Sequence, residues 1–369
     1  MTPVTEAQER NQAVPSVRAD MLDCVQSNLA VLADRHHGPD THLALGATLR
    51  FRPRPGPGGL PTVEPELESQ LAGTEVLGLV EHGRWSGVPT AELAKLAERH
   101  GPLYVLADTY DMPWLPYHRQ RHMEHSYLVA PAGQKAQVTD AYYSHTPWGI
   151  ASPGQWVMDW DDLPKSTLVV RFGAADAGAP LVRPGTDFGD IDGYVAAYAA
   201  HPDRSAALEQ LTTETWLLAR SRRLHAAFLA RHGKPVGAGT AAHLQRLERL
   251  AEQAFLALRR VQRGRAEPER LLPDLAEALR ADRHVFAGQD QLRETVTATV
   301  AGVLGVDSAE VLTAPSLTAI AGFNSFQVVE IVEALEERLA VEFDPEDLVP
   351  ENLHRLDDLC RLAAAAAAP

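Results

Sequence analysis

The C-terminal quarter of this chain combines helical periodicity with a large excess of acidic residues, and this combination limits what it can fold into. Between Val285 and Pro369 there are 15 Asp and Glu against 4 Lys and Arg, a net charge of −11. The whole chain of 369 residues has a net charge of −15, so most of the excess lies here. From Gln291 onward, apolar residues recur at helical spacing in three segments. The pattern predicts a small all-helical domain, whose charge favours a basic protein partner over nucleic acid or an anionic membrane.

Ser325 lies at the predicted start of the most acidic of these helices, SFQVVEIVEALEERLAVEF. Val328, Ile331 and Leu335 mark the apolar stripe of that helix, and its glutamates lie on the opposite face. A phosphodiester on Ser325 would lie where free backbone N–H groups and the helix dipole favour negative charge. A serine in this position is also a common N-cap, so the local sequence leaves both roles open.

Residues 291–363 resemble the acyl carrier and peptidyl carrier proteins. The resemblance rests on the loop LTAIAGF before the serine, the acidic helix VVEIVEALEERLAVEF and the DPEDL that follows. It implies 4′-phosphopantetheine attached covalently to Ser325 by a phosphopantetheinyl transferase, and a separate enzyme that loads an acyl or aminoacyl group. The common Asp-Ser-Leu motif is replaced by Asn324-Ser325-Phe326, so one charge near the transferase's metal is missing.

The length of the chain exceeds one ordinary domain, and its composition changes along the sequence. The segment GAADAGAPLVRPGTDFGD, rich in Gly, Ala and Pro, separates a part with mixed helix and strand signals from an Ala-, Leu- and Arg-rich helical part. We therefore predict a disordered N-terminus over 1–18, an α+β domain over 19–190, a helical accessory region over 191–280, a linker over 281–290, a four-helix carrier domain over 291–363 and a tail over 364–369.

Cysteine content and hydropathy indicate a cytoplasmic protein. Only two cysteines occur, Cys24 and Cys360, which excludes a disulfide-stapled scaffold and fits a reducing compartment. The first residues, MTPVTEAQERNQAV, lack the apolar core of a signal peptide. No apolar run approaches the roughly 20 residues that a membrane-spanning helix needs.

Cys24 lies in the first turn of a predicted helix, ADMLDCVQSNLAVLA, with Asp20 or Asp23 as its N-cap. If Asp23 is the N-cap, the sulfur lies at the positive end of the helix dipole, where a thiolate is favoured. The adjacent carboxylates oppose this unless they turn away. The alternative interpretation is a small buried core residue.

A cluster of histidines precedes a predicted hairpin whose centre lies near Ala132 and Gly133. This centre places His125 opposite Asp140, where the carboxylate could orient the imidazole. A helix-borne thiol facing a strand-borne His–Asp pair is an arrangement for nucleophilic catalysis. His122 is the rival for the base. The cluster could instead bind a metal, although its spacing is not diagnostic, and we predict none. The histidines are His118, His122 and His125.

Residues from about Met21 to Asp140 resemble the N-terminal domain of the butirosin biosynthesis protein H family, which has a papain-like fold used for acyl transfer. The matching segments are DCVQSNLA, VLADTYDMPWLPYHRQRH and HSYLV followed by VTDA. The resemblance implies a cysteine acyltransferase with Cys24 as nucleophile, His125 as base and Asp140 as its orienting partner. The papain-type glutamine before the cysteine is absent, and the backbone N–H of Cys24 is a candidate oxyanion donor.

Together the two resemblances imply an α+β, papain-like cysteine acyltransferase domain with a helical accessory region, followed by an all-α four-helix carrier domain. Such a chain would pass an acyl or aminoacyl group from a phosphopantetheine thioester to the amine or hydroxyl of a small-molecule acceptor in natural-product biosynthesis. Two alternatives remain open at this point. The same residues could hydrolyse the thioester or an amide, or the first domain could be a non-catalytic partner of the carrier.

Overall fold

The structure is a computed structural model that describes residues 17–234, 237–339 and 341–366. Most of the predicted disordered N-terminus, residues 1–16, and the last part of the predicted tail, residues 367–369, lie outside the described residues. Residues 364–366 of that tail form the end of the last helix.

The described residues form both helices and strands up to residue 188, with no α-helix between β5 and β12, and helices thereafter. The α-helices are α1 (Cys24–His37), α2 (Leu67–Ala72), α3 (Thr90–His100), α4 (Ile191–Ala200), α5 (Arg204–Arg231), α6 (Ala238–Val261), α7 (Leu271–Asp282), α8 (Gly288–Leu304), α9 (Ser308–Thr313), α10 (Ser325–Leu339) and α11 (Leu356–Ala366). The strands are β1 (Thr48–Phe51), β2 (Arg54–Pro55), β3 (Pro61–Thr62), β4 (Leu79–Ser86), β5 (Leu103–Asp108), β6 (Glu124–Ala132), β7 (Lys135–Asp140), β8 (Ser144–Thr146), β9 (Gly149–Ala151), β10 (Gly154–Met158), β11 (Ser166–Ala174) and β12 (Gly185–Phe188).

Contacts divide the chain into two units, and each unit is made of several segments that are not contiguous in sequence. The first comprises the residues up to Leu49, Val63–Gly185 and Arg220–Phe228, and the second contains the remainder. The predicted α+β domain over 19–190 is a continuous segment, whereas the first unit leaves out residues 50–62 and includes residues 220–228 of α5. Packing of a 28-residue helix depends on distant partners, and sequence order does not reveal them.

A six-stranded antiparallel sheet forms the centre of the first unit, in the order β10-β7-β6-β5-β11-β4. The apolar segment LYVLAD becomes β5, which is buried along nearly its whole length. Helix α1 packs on this sheet, where Leu29 and Leu32 join a core with Tyr104 and Leu106. This packing holds the N-terminus of α1 over the strands β6 and β7.

The hairpin between β6 and β7 forms, but its predicted register was wrong by two residues. Leu128 pairs with Thr139 and Ala132 pairs with Lys135, so the turn consists of residues 133 and 134. Gly133 has a φ of 64°, which a tight two-residue turn requires and glycine adopts without strain. Because side chains alternate with a period of two, this shift keeps His125 and Asp140 on the same face.

The second unit is helical in the region that follows β12. Helices α8 to α11 enclose their own apolar core, which includes Val296, Ile331, Leu335 and Leu359. This helical C-terminal region fits a carrier domain. The helical character that the sequence predicts for this region agrees with the structure.

The predicted linker over 281–290 is helical in the structure, which corrects that interpretation. Helix α7 passes into a π-helical turn, Arg283–Ala287, and then into α8. The segment contains no proline, and Phe286 is buried. Asp282 is also buried and forms an ion pair with His243, with 2.8 Å between Oδ1 and Nε2. These contacts with α6 stabilise regular structure where the sequence resembled a polar connection.

Candidate functional site

The start of α1 is defined by a capping box around Asp23. Its Oδ1 accepts hydrogen bonds from the backbone N–H groups of Val25 (2.9 Å) and Gln26 (2.8 Å), and Gln26 Oε1 accepts from the N–H of Asp23 (3.2 Å). The predicted N-cap Asp23 is therefore confirmed. Cys24 is the first helical residue, and its own backbone N–H interacts with its sulfur.

Cys24 contacts both residues that flank His125 on β6. Its Sγ lies 3.9 Å from the carbonyl oxygen of Glu124, and its carbonyl oxygen accepts a hydrogen bond of 2.5 Å from Ser126 Oγ. Asn28, one turn further along α1, donates through Nδ2 to the carbonyl oxygen of Ser126 at 2.8 Å. The N-terminus of α1 is thus fixed to the strand segment that carries the candidate base.

The structure brings His125 and Asp140 together in a buried pair. His125 Nε2 lies 2.8 Å from Asp140 Oδ2, and both side chains are almost fully buried, with exposures of 0% and 1%. His125 Nδ1 is also buried and has no hydrogen-bond partner among the described residues. One ring nitrogen is therefore held by a carboxylate, and the other is available as a proton acceptor.

Asp140 is held in its ionised form by its surroundings. Burial alone would raise its pKa, but His125 and hydrogen bonds from Tyr142 N (3.0 Å) and Trp114 Nε1 (3.0 Å) bring the pKa below its usual value of 3.8. His125 and Trp114 contact Oδ2 of this carboxylate, and Asn28 Nδ2 lies 3.4 Å from its Oδ1. An ionised Asp140 accepts a hydrogen bond from His125 Nε2, which orients the ring and directs Nδ1 away from the carboxylate.

The Cys24 thiol is protonated at rest, because the condition under which the helix dipole would favour a thiolate is not met. Burial, followed by the negative charges of Asp23, Asp140 and Glu64, raises its pKa well above 9.0. Asp23 does not turn away from the site, because its carboxylate caps the helix. Burial also raises the pKa of Asp23 to about 6. These effects outweigh the helix dipole, so any attack by the sulfur requires a base.

Aromatic and cationic side chains complete the surroundings of the site. The ring of Tyr142 packs edge-on against His125, with 5.0 Å between ring centroids, and its hydroxyl is hydrogen-bonded to Tyr117. The buried guanidinium of Arg220 donates to the carbonyl oxygen of Ala19, just before the capping box, at 2.7 Å. It also donates to the carbonyl oxygen of Tyr143 at 2.6 Å. Arg220 therefore connects the chain segments on either side of the candidate site.

The rival base His122 lies in different surroundings. It is 73% exposed, its Nδ1 is 2.6 Å from Asp108 Oδ2, and its ring stacks on Tyr110 with 4.2 Å between centroids. His118 is half-buried, and its backbone N–H donates to the carbonyl oxygen of Leu115 at 3.1 Å. A search of the described residues finds no group of three or more His, Cys, Asp and Glu side chains placed to hold a metal ion.

Sequence reasoning missed several polar groups that organise this site. Asn28 follows Cys24 by four residues and therefore shares its helix face, which was an available signal inside an apolar stretch. Ser126, Trp114 and Tyr142 gave no comparable signal, because their roles depend on contacts between distant segments.

In the second unit, Ser325 is the first residue of α10 and is not its N-cap. Asn324 has that role: its Oδ1 accepts from the N–H groups of Phe326 (3.0 Å) and Gln327 (3.3 Å), and Gln327 Oε1 accepts from the N–H of Asn324 (3.0 Å). Ser325 is exposed, and its hydroxyl makes no hydrogen bond within the described residues. The replacement of the usual Asp by Asn therefore preserves the cap and leaves the serine hydroxyl accessible.

The four helices and the accessible serine define a carrier domain. Residues 294–363 match the family described as "Phosphopantetheine attachment site". Members of this family carry 4′-phosphopantetheine covalently on a serine, which makes it the cofactor of this chain and gives the domain a carrier role in biosynthesis. An exposed hydroxyl at a helix N-terminus, where a phosphodiester is favoured, fits that group.

The family match does not extend to the first unit. Among curated proteins, none matches the chain significantly. A carrier domain implies a phosphopantetheinyl transferase and loading enzymes as partners. Within the described residues, every helix is too short or too polar to cross a membrane.

Proposed function

We propose that this chain is a cysteine acyltransferase joined to a carrier domain, and that it moves an acyl or aminoacyl group through Cys24 to an amine or hydroxyl acceptor. One observation carries the proposal. Cys24 contacts both neighbours of His125, while His125 binds Asp140 through Nε2 and keeps Nδ1 unpartnered among the described residues. A buried histidine with one oriented and one available nitrogen, whose two neighbours both contact the cysteine, suits acyl transfer.

Ser325 is the proposed attachment residue. The matched segment contains two other serines, Ser308 and Ser316. Ser316 is hydrogen-bonded to Thr318 at 2.6 Å, and Ser308 begins a helix of only six residues. Ser325 begins a helix of 15 residues and has an exposed hydroxyl, which favours it for a transferase. When bound, 4′-phosphopantetheine supplies a terminal thiol that holds the acyl group as a thioester.

His125 acts as the general base in the first step. Its Nδ1 takes the Sγ proton of Cys24 as the sulfur attacks the carbonyl carbon, and Asp140 stabilises the resulting imidazolium. The backbone N–H of Cys24, in the first turn of α1, is the proposed donor to the developing oxyanion. His125 then returns the proton to the departing thiol, so that the acyl group remains on Cys24 as a thioester. This exchange of one thioester for another is nearly isoenergetic.

The second step transfers the acyl group to the acceptor. His125 Nδ1 removes a proton from the attacking amine or hydroxyl and delivers it to Cys24 Sγ as the thioester bond breaks. The product is an amide or an ester, and the thiol is regenerated. Transfer to nitrogen is downhill, because an amide is more stable than a thioester.

A papain-like fold is part of this proposal. Cys24 lies at the N-terminus of a helix packed on an antiparallel sheet, and neighbouring strands carry His125 and Asp140. This arrangement supports the resemblance to the butirosin biosynthesis protein H family, from which the acyltransferase chemistry is taken.

Product analysis with the phosphopantetheinylated, acyl-loaded chain tests the proposal. We expect acyl adducts of a panel of amines and alcohols, lost in Cys24→Ala and retained in Cys360→Ala, the matched control at the other cysteine. Free acid that depends on Cys24, without any adduct, would show a hydrolase instead. Adduct formation that persists in Cys24→Ala would contradict the proposed nucleophile and favour a non-catalytic first unit.

A further inference from the structure

The last turns of α6 present an exposed strip that combines apolar and basic side chains. Phe255 and Leu256 are 43% and 58% exposed. Arg259 and Arg260 follow on the helix, and Arg263 lies in the turn after it, all exposed. These five residues are called the arginine strip below. The opposite side of α6 contributes Ala254, Ala257 and Leu258 to the interior, so the strip is not needed for packing of the helix itself.

The arginines of this strip have no acidic partner in the described part of the chain. Arg259 Nη1 donates to Gln262 Oε1 at 3.4 Å, and Arg260 Nε donates to the carbonyl oxygen of Ala266 at 3.0 Å. Arginines near a helix C-terminus interact favourably with the helix dipole, which would by itself explain a pair of them here. The dipole gives no reason for the exposed Phe255 and Leu256 beside them. Aromatic residues and arginine together are characteristic of protein interfaces.

Helix α10 presents a strip of matching form and opposite charge. Phe326 and Val329 are 80% and 56% exposed, and Glu330, Glu333 and Glu337 continue the same exposed face. No ion pair involves these glutamates within the described residues. They are called the glutamate strip below. The inner face of α10 is buried in the carrier core, so this strip is also independent of packing.

We propose that the arginine strip is the docking face for the glutamate strip of the carrier domain in a second copy of this chain. In both strips the apolar pair lies at the N-terminal end and the charges follow. At 1.5 Å per residue, Phe255 to Arg263 spans about 12 Å and Phe326 to Glu337 about 16 Å. A parallel alignment therefore brings apolar pairs together and places guanidinium groups against carboxylates. Both strips are exposed within one chain, which points to a partner copy.

The expected contact is small, charged and transient. Two helix strips of this length bury less than the roughly 1,200 Å² of a stable interface. Exposed ion pairs weaken as salt screens them, so the association is strongest at low ionic strength. Rapid release suits a domain that must also visit its transferase and its loading enzyme. The docking does not depend on the chemistry of Cys24.

Sedimentation velocity at low salt, with the full unmodified chain, tests this proposal. We expect reversible self-association of the wild type that weakens by about tenfold or more in Arg259→Glu/Arg263→Glu and in Glu333→Lys/Glu337→Lys. Mixing these two variants leaves one intact strip of each kind and should give a heterodimer. Combining all four changes in one chain should restore self-association. The neutral variant Arg259→Gln/Arg263→Gln should weaken it without reversing the charge.

Arg50→Glu/Arg99→Glu, on β1 and α3, is the matched control, because it makes the same change in net charge at two other exposed arginines. It should leave association unchanged. Circular dichroism confirms that each variant is folded. The proposal is overturned if the wild type stays monomeric at low salt, if the two complementary variants fail to associate, or if the control weakens association equally.

Discussion

The carboxylate of Asp23 caps the helix that begins at Cys24 and, at the same time, adds to the effect of burial, which is the larger cause of the raised pKa of the Cys24 thiol. The two effects arise from one side chain, because the oxygen that binds the N–H groups of Val25 and Gln26 also places a negative charge beside the sulfur. Asp23 therefore stabilises the helix by capping it but disfavours the thiolate of Cys24. A substitution that keeps the cap and removes the charge separates these two effects.

Asp23→Asn should lower the pKa of Cys24. Asparagine keeps the Oδ1 acceptor that caps the helix and removes the charge. We expect the rate of Cys24 alkylation by iodoacetamide to rise at a lower pH than in the wild type. Peptide mass spectrometry follows each cysteine separately, and Cys360 should keep its profile. An unchanged profile at Cys24 would show that Asp23 has no electrostatic effect on the thiol.

The pH dependence of stability should reflect Asp23 in the same variant. Its pKa is raised from 3.8 in the unfolded chain to about 6 in the folded protein, so the folded state holds the extra proton between these values. Stability from this group is therefore lost as pH rises from about 4 to 6, by on the order of 3 kcal/mol. Urea unfolding of wild type and Asp23→Asn should converge at low pH and diverge above pH 6, with the variant more stable. Parallel curves would contradict the shift.

Asp140→Asn should reduce acyl transfer by about 100-fold or more while the protein stays folded. The variant loses the charge that stabilises the His125 imidazolium and no longer requires a proton on Nε2. Single-turnover transfer from the loaded chain measures the effect. Asp108→Asn, which changes the exposed pair with His122, serves as control and should retain activity. The opposite pattern would make His122 the base.

Asn28→Ala should both destabilise the first unit and slow transfer. It removes hydrogen bonds to Ser126 and Asp140 and leaves the N–H of Ala141 without its acceptor, a loss of about 1–3 kcal/mol. Ser27→Ala, at the neighbouring buried position, is the control, since within the described residues Ser27 Oγ makes only a 3.4 Å hydrogen bond, to the carbonyl oxygen of Cys24. Thermal unfolding and single-turnover rates distinguish the two variants. Equal effects would mean that Asn28 has no special role in positioning.

Ser325→Ala should abolish attachment of 4′-phosphopantetheine, whereas Ser308→Ala and Ser316→Ala should retain it. Intact mass after incubation with coenzyme A and a phosphopantetheinyl transferase gives the result directly. Asn324→Asp restores the charge of the common motif and keeps the cap, so it should accelerate modification. Modification that survives in Ser325→Ala would assign the cofactor to another residue.

The sequence was a good guide to structure that depends on neighbouring residues. The capping box at Asp23 and the acidic helix at Ser325 could be predicted because their partners lie within four positions. The His125–Asp140 contact was also anticipated, although from the wrong register, because a shift of two residues preserves the face of a strand.

Long-range packing explains what could not be predicted. The helical character of 281–290 depends on the contact of Asp282 with His243, 39 residues away. Asn28 reaches Ser126 and Asp140 across 98 and 112 residues, so its role is visible only after folding. The protonated state of Cys24 follows from burial, which overrides the local dipole argument that the sequence supports.

The central claim is that the acyl group passes through Cys24, and trapping that intermediate tests it most directly. The acyl-loaded chain is kept without acceptor, and samples are quenched in acid at a series of times after loading. Each sample is then digested for peptide mass spectrometry. We predict the acyl mass on the Cys24 peptide, its loss on addition of acceptor, and its absence in Cys24→Ala and in Ser325→Ala. An unmodified Cys24 peptide at every time, from a loaded chain that still forms product when acceptor is added, would contradict the account.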